Sequence, residues 1–119
     1  MTPTRIALAA AMAGSCLFLA APAGAASFNC AAVRQPDERA ICANRSLNDK
    51  DVTLSVLYNL VRRLVPMGSR GAIMDDQVAW LRGRHACGAN AVCLSRAYDK
   101  RIAQIQRIID DRVVSNGPF

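Results

Sequence analysis

Between Leu47 and Val65 the apolar residues fall at helical intervals. Leu47, Val52, Leu54, Leu57, Tyr58, Val61, Leu64 and Val65 include the i, i+3, i+4, i+7 spacing of one helical face. Asn48, Asp49, Lys50, Asn59, Arg62 and Arg63 lie between them, so the pattern predicts an amphipathic helix with a buried stripe and a solvated back. Arg62 and Arg63 occupy its last turn, where cations complement the terminal carbonyls, and Pro66 with Gly68 ends it. Ser69 to Gly71 reads as the start of the next connection, after which Ile73, Gln77, Trp80, Leu81 and Arg84 share a face of a further helix. A last helix begins near Ala91 and presents Leu94, Tyr98, Ile102, Ile105 and Ile109, with Ile108 widening the stripe. Arg96, Lys100, Arg101, Gln104 and Arg107 are expected on its exposed side, and Asn116-Gly117-Pro118 ends it. Upstream, Pro36-Asp37-Glu38 reads as the first turn of a short helix through Cys42: proline is tolerated there and acids favour the positive end of the helix dipole. Asn44 to Ser46 is expected to break it. No stretch alternates with period two. The fold expected is all-α, a small antiparallel bundle of three to four helices with short connections.

The N-terminus has a different character. Arg5 is the only charge before Arg34, and Ile6 to Ala21 is an almost unbroken apolar run leading to the small-x-small signature Ala23-Gly24-Ala25. Residues 1–25 therefore read as a cleaved secretory signal peptide and 26–119 as a single exported domain, periplasmic or secreted, with no transmembrane segment. Cys16 follows small residues, as lipoprotein processing requires. Ala13 stands where leucine is usual, however, and Leu17-Phe18-Leu19 continues the apolar core, so Cys16 is expected to leave with the signal.

About 94 residues remain, with Cys30, Cys42, Cys87 and Cys93. An even cysteine count in a small exported chain implies a disulfide framework, because the destination is oxidising and the core is modest. Four cysteines allow three pairings. The sequence-local one, Cys30 with Cys42 and Cys87 with Cys93, is the expectation. Six residues of helix rise about 9 Å, beyond the roughly 7 Å that a disulfide spans between Cα atoms, so the second bridge needs a reversal. Gly88-Ala89-Asn90 offers turn residues at that place. A metal site is disfavoured by the lack of C-x2-C spacing and of paired histidines, and no cofactor is expected.

Phe28-Asn29-Cys30, Asp37-Glu38-Arg39-Ala40-Ile41-Cys42, Leu47, Tyr58, Gln77-x-x-Trp80-Leu81-x-x-Arg84-x-x-Cys87 and Cys93-Leu94-x3-Tyr98-x3-Ile102 together resemble the lysozyme inhibitor LprI-like N-terminal domain family. The likeness runs from Phe28 to about Ile105. It implies a small exported four-cysteine helical domain and, through the activity for which the family is named, inhibition of a peptidoglycan-cleaving lysozyme.

Charge adds a second expectation. The chain carries fifteen basic and nine acidic residues, and loss of Arg5 with the leader leaves a net charge near +5. Steering would oppose encounter with a basic lysozyme and favour anionic envelope polymers, lipid headgroups or an acidic protein. The adjacent acid pairs, Asp37-Glu38, Asp75-Asp76 and Asp110-Asp111, fit helix ends or solvated faces. Trp80, Tyr58 and Tyr98 stand at core spacing and read as packing. Arg84 reads as a docking residue paired with Glu38 or with carbonyls. His85, the lone histidine, has no partner evident from spacing. Export and the lack of interleaved aromatics argue against nucleic acid. No G-x-S-x-G, H-E-x-x-H, P-loop or C-x-x-C motif is present, so the reading is a binding protein, not an enzyme. Its contact residues are expected in the closed turn: His85, Gly88, Ala89 and Asn90.

Overall fold

The computed structural model describes residues 26–115. Residues 1–25, the segment expected to be a signal peptide and containing Cys16, and Asn116-Gly117-Pro118 lie outside those residues. Four helices follow one another, α1 (Pro36–Ala43), α2 (Arg45–Leu64), α3 (Met67–Ala86) and α4 (Ala91–Ile109), and a π-helical turn (Asp110–Val114) continues α4. Among the described residues no helix is long and apolar enough to cross a membrane.

One residue separates α1 from α2. The Asn44 N–H donates to the Ala40 carbonyl at 3.1 Å, while its side-chain oxygen accepts from the Leu47 N–H at 3.2 Å. A single extended residue with a capping side chain closes one helix and opens the next, so the break expected at Asn44 to Ser46 contracts to Asn44. The second connection shortens in the same way. Ser69 to Gly71 is helical, because the Pro66 carbonyl accepts from the Ser69 and Arg70 N–H groups at 3.0 and 3.2 Å and starts α3 at Met67. Two helical glycines, Gly68 and Gly71, weaken this first turn by roughly 1 kcal/mol each relative to alanine. Burial of Ile73 on the core offsets that cost. The reversal between α3 and α4 falls where the sequence placed it: Gly88 takes φ +53°, which only glycine adopts freely, and the Asn90 side chain caps α4 by accepting from the Cys93 N–H at 3.0 Å.

Consecutive long helices run antiparallel, which leaves α2 and α4 side by side and parallel. Lys50 reaches Ser95 and Asp99, and further along the pair Val65 and Ile108 line one concavity. Ile41, Leu47, Leu54, Val61, Val65, Ile73, Leu94, Tyr98 and Ile105 form the core, with Phe28, Trp80 and Ile102 packed against it. Both disulfides are sequence-local. Cys30–Cys42 ties the N-terminal segment to α1 with Cα atoms 5.8 Å apart, and Cys87–Cys93 closes the α3–α4 turn at 5.6 Å.

Arg101 departs from expectation. Instead of facing solvent it is 3 % exposed, its Nε donating to Gln77 at 3.0 Å and its other nitrogens to Gln104 and the Ile73 carbonyl. The reason is positional: α4 is covered by α2 on one side and α3 on the other, and residue 101 falls seven after Leu94 and four before Ile105. Burial pushes its guanidinium down from its ordinary value, and the nearby Asp76 charge opposes this.

Candidate functional site

Where α1, α2, α3 and α4 meet, the core is ionic. Asp37, in the first turn of α1, and Asp51, on α2, are both buried, at 1 % and 4 % exposure, and Arg84 of α3 lies between them at 4 %. The Arg84 Nε donates to Asp37 at 2.9 Å. Its Nη1 donates to the Tyr98 hydroxyl at 3.3 Å, and that hydroxyl donates to Asp51 at 2.8 Å. Glu38, the partner expected for Arg84, stands farther off at 3.8 Å, and Asp51 at 3.9 Å. Glu38 is displaced by its neighbour because Asp37 lies on the inward face of α1, four residues before the fully buried Ile41.

The N-terminal segment covers this cluster. The Ser27 N–H donates to the second Asp51 oxygen at 2.6 Å, and the guanidinium of Arg84 lies 5.7 Å from the Phe28 ring and 5.8 Å from that of Trp80. Trp80 packs edge-on against Tyr98 at 5.1 Å and donates its indole N–H to the Ala97 carbonyl. Trp80, Arg84 and Tyr98 thus sit together at this cluster. Burial and the Asp51 charge hold the Tyr98 phenol above its ordinary value, so it stays a neutral hydrogen-bond donor.

His85 has the partner that spacing did not reveal. Its Nδ1 lies 2.9 Å from Asp37 while its side chain remains 43 % exposed. Burial alone would raise the Asp37 carboxyl, but the His85 hydrogen bond and the Arg84 charge outweigh it and hold it below the usual carboxylate value. Stability from this group is therefore complete above the unfolded value near 3.9 and is lost as pH falls through the lower, folded value. Thermal midpoints measured from about pH 5 to pH 2 should fall, and Asp37→Asn should flatten that fall. An unchanged slope in the variant would assign acid sensitivity to other carboxylates.

The four residues expected to make contact all belong to the end of α3 and its turn, but they do different things. Ala89 is exposed, Gly88 is half-buried and supplies the left-handed turn, and the Asn90 oxygen is engaged in capping. His85 is held from below by Asp37. The turn is thus largely exposed, yet closed by the Cys87–Cys93 bond, capped by Asn90 and held at His85 by the contact with Asp37. Among the described residues no group of three or more His, Cys, Asp or Glu side chains is arranged to hold a metal ion.

No family model, curated protein or solved structure matches this chain.

Proposed function

We propose that this chain is an exported helical binding protein of the LprI-like kind that presents the turn from His85 to Asn90 to another envelope protein. The observation that carries this reading is that this exposed turn is closed by the Cys87–Cys93 bond and capped by Asn90. A pre-organised loop loses little entropy on binding, so modest contacts suffice for affinity. Two disulfides suit an oxidising, extracytoplasmic destination. The partner class, a peptidoglycan-cleaving lysozyme, follows from the sequence resemblance. The test is to titrate the purified, oxidised protein into a cell-wall lysis assay. Lysozyme activity should fall, and Ala89→Arg, a change at an exposed position, should restore it. Full lysis at micromolar excess of the protein would sink the reading.

A second reading, a basic envelope-associated protein that binds anionic surface without inhibiting anything, is favoured by a separate observation. At the far end of α3, Arg62, Arg63 and Arg70 converge with no carboxylate paired to them among the described residues.

A further inference from the structure

We infer that the corner between α2 and α3 is a binding site for a phosphoryl anion, formed by Asn59, Arg62, Arg63 and Arg70. Asn59, Arg62 and Arg63 stand at i, i+3 and i+4 on the last turns of α2, so they share one face. The chain then reverses at Val65 and Pro66, and Arg70 returns in the first turn of α3. These four side chains alone line a concavity of about 230 Å³.

Its donors are unanswered. The Nε atoms of Arg62 and Arg70 are shielded from solvent and have no hydrogen-bond partner. Buried donors in native proteins are ordinarily paired, so each such atom calls for an explanation. The contrast within this molecule is direct: the Nε of Arg84 meets Asp37, and that of Arg101 meets Gln77. Where the fold uses a guanidinium for its own architecture, it supplies the acceptor. At the α2–α3 corner it supplies three cations and an amide.

Arg62 is also held in place without consuming its donors. Its guanidinium lies over the Tyr58 ring, 5.2 Å from the centroid, a contact that leaves the terminal Nη–H groups free to bind in its plane. A tetrahedral phosphoryl group offers several charged oxygens at once and takes paired N–H bonds from guanidinium forks. Three such forks converging on one concavity suit it better than a single carboxylate does. The site is separate from the His85 turn: Arg70 and His85 are fifteen residues apart on α3, about 22 Å of helix rise. It does not rest on the lysozyme reading, and either can fail without the other.

The experiment has two arms. In the first, inorganic phosphate is titrated at constant ionic strength into the oxidised, ¹⁵N-labelled protein, and the arginine Nε–H resonances are followed. The Arg62 and Arg70 signals should shift saturably while those of Arg84 and Arg101 hold still. In the second, the protein is sedimented with phosphatidylglycerol-containing vesicles and with phosphatidylcholine vesicles. Arg70→Gln should weaken the response at least about tenfold, since it removes charge-assisted bonds, and Lys100→Gln, an exposed cation on α4, should not. The unmoved Arg84 signal in Arg70→Gln verifies that the variant is folded. Binding of phosphate without retention on vesicles assigns a free phosphoryl ligand, and retention on phosphatidylglycerol that depends on Arg70 assigns a lipid headgroup. Overturning results are dependence on Arg70 in neither arm, or equal weakening by Arg70→Gln and Lys100→Gln, which is diffuse charge attraction.

Discussion

Replacing Arg84 by methionine is expected to destabilise the domain by about 3–5 kcal/mol, because it leaves buried carboxylates without their cation. Methionine fills similar apolar volume, so the loss reports charge and hydrogen bonding more than packing. The Nε bond to Asp37 and the Nη1 bond to Tyr98 disappear together. Asp51 keeps the Tyr98 hydroxyl and the Ser27 N–H, and Asp37 keeps His85, which moderates the loss without removing it. For a small domain whose total stability is of the order of 5–15 kcal/mol, this is a large share. Chemical denaturation of Arg84→Met, Asp37→Asn and the double variant tests the cause. If the unpaired carboxylate is the problem, adding Asp37→Asn to Arg84→Met costs less than it does alone. Simple additivity, or a loss under about 1 kcal/mol for Arg84→Met, rejects the ionic keystone.

Much of the architecture was readable because four helices with polar backs and abrupt stops leave a strong periodic trace. The ionic centre was only half readable, for a reason that Asp37, Asp51 and Arg101 make specific. Each lies at a core register position: Asp37 four before Ile41, Asp51 four after Leu47 and three before Leu54, Arg101 three after Tyr98. Charge identity argues for the surface at such a position, while helical phase argues for the interior, and here phase prevails because each charge finds partners on a neighbouring helix. Arg84 was legible because it follows Gln77 by seven and continues the Trp80 face. His85 was not, since its partner is 48 positions away in the chain. A charged residue in the middle of an apolar stripe is therefore the sequence signal that would have found Asp51 and Arg101. The α2–α3 corner left a trace of its own in the Arg62-Arg63 pair, but only the reversal at Pro66 brings Arg70 to it.

The two disulfides should contribute unequally, and by more than their loop lengths explain. Chain entropy assigns about 2–3 kcal/mol to each, and a doubling of the closed loop adds only about 0.6 kcal/mol. Cys30 and Cys42 are 12 residues apart and Cys87 and Cys93 are 6, so entropy alone puts the two variants, Cys30→Ser/Cys42→Ser and Cys87→Ser/Cys93→Ser, within that small margin. The first bridge does something further. It holds down the segment whose Ser27 N–H meets Asp51 and whose Phe28 ring faces Arg84, so its removal admits water to the buried carboxylates. The second closes a turn that Gly88 and the Asn90 cap already order. Cys30→Ser/Cys42→Ser should therefore cost at least about 1 kcal/mol more than its counterpart, and the Ser27 amide should lose its hydrogen-exchange protection in that variant alone. It should also couple with Arg84→Met, the combined loss falling short of the sum, since both expose the same charges. Equal losses for the two disulfide variants would mean that the N-terminal segment is a tether and not a cover. In that case the ionic cluster is sealed by the four helices themselves, and Arg84 alone sets how they dock.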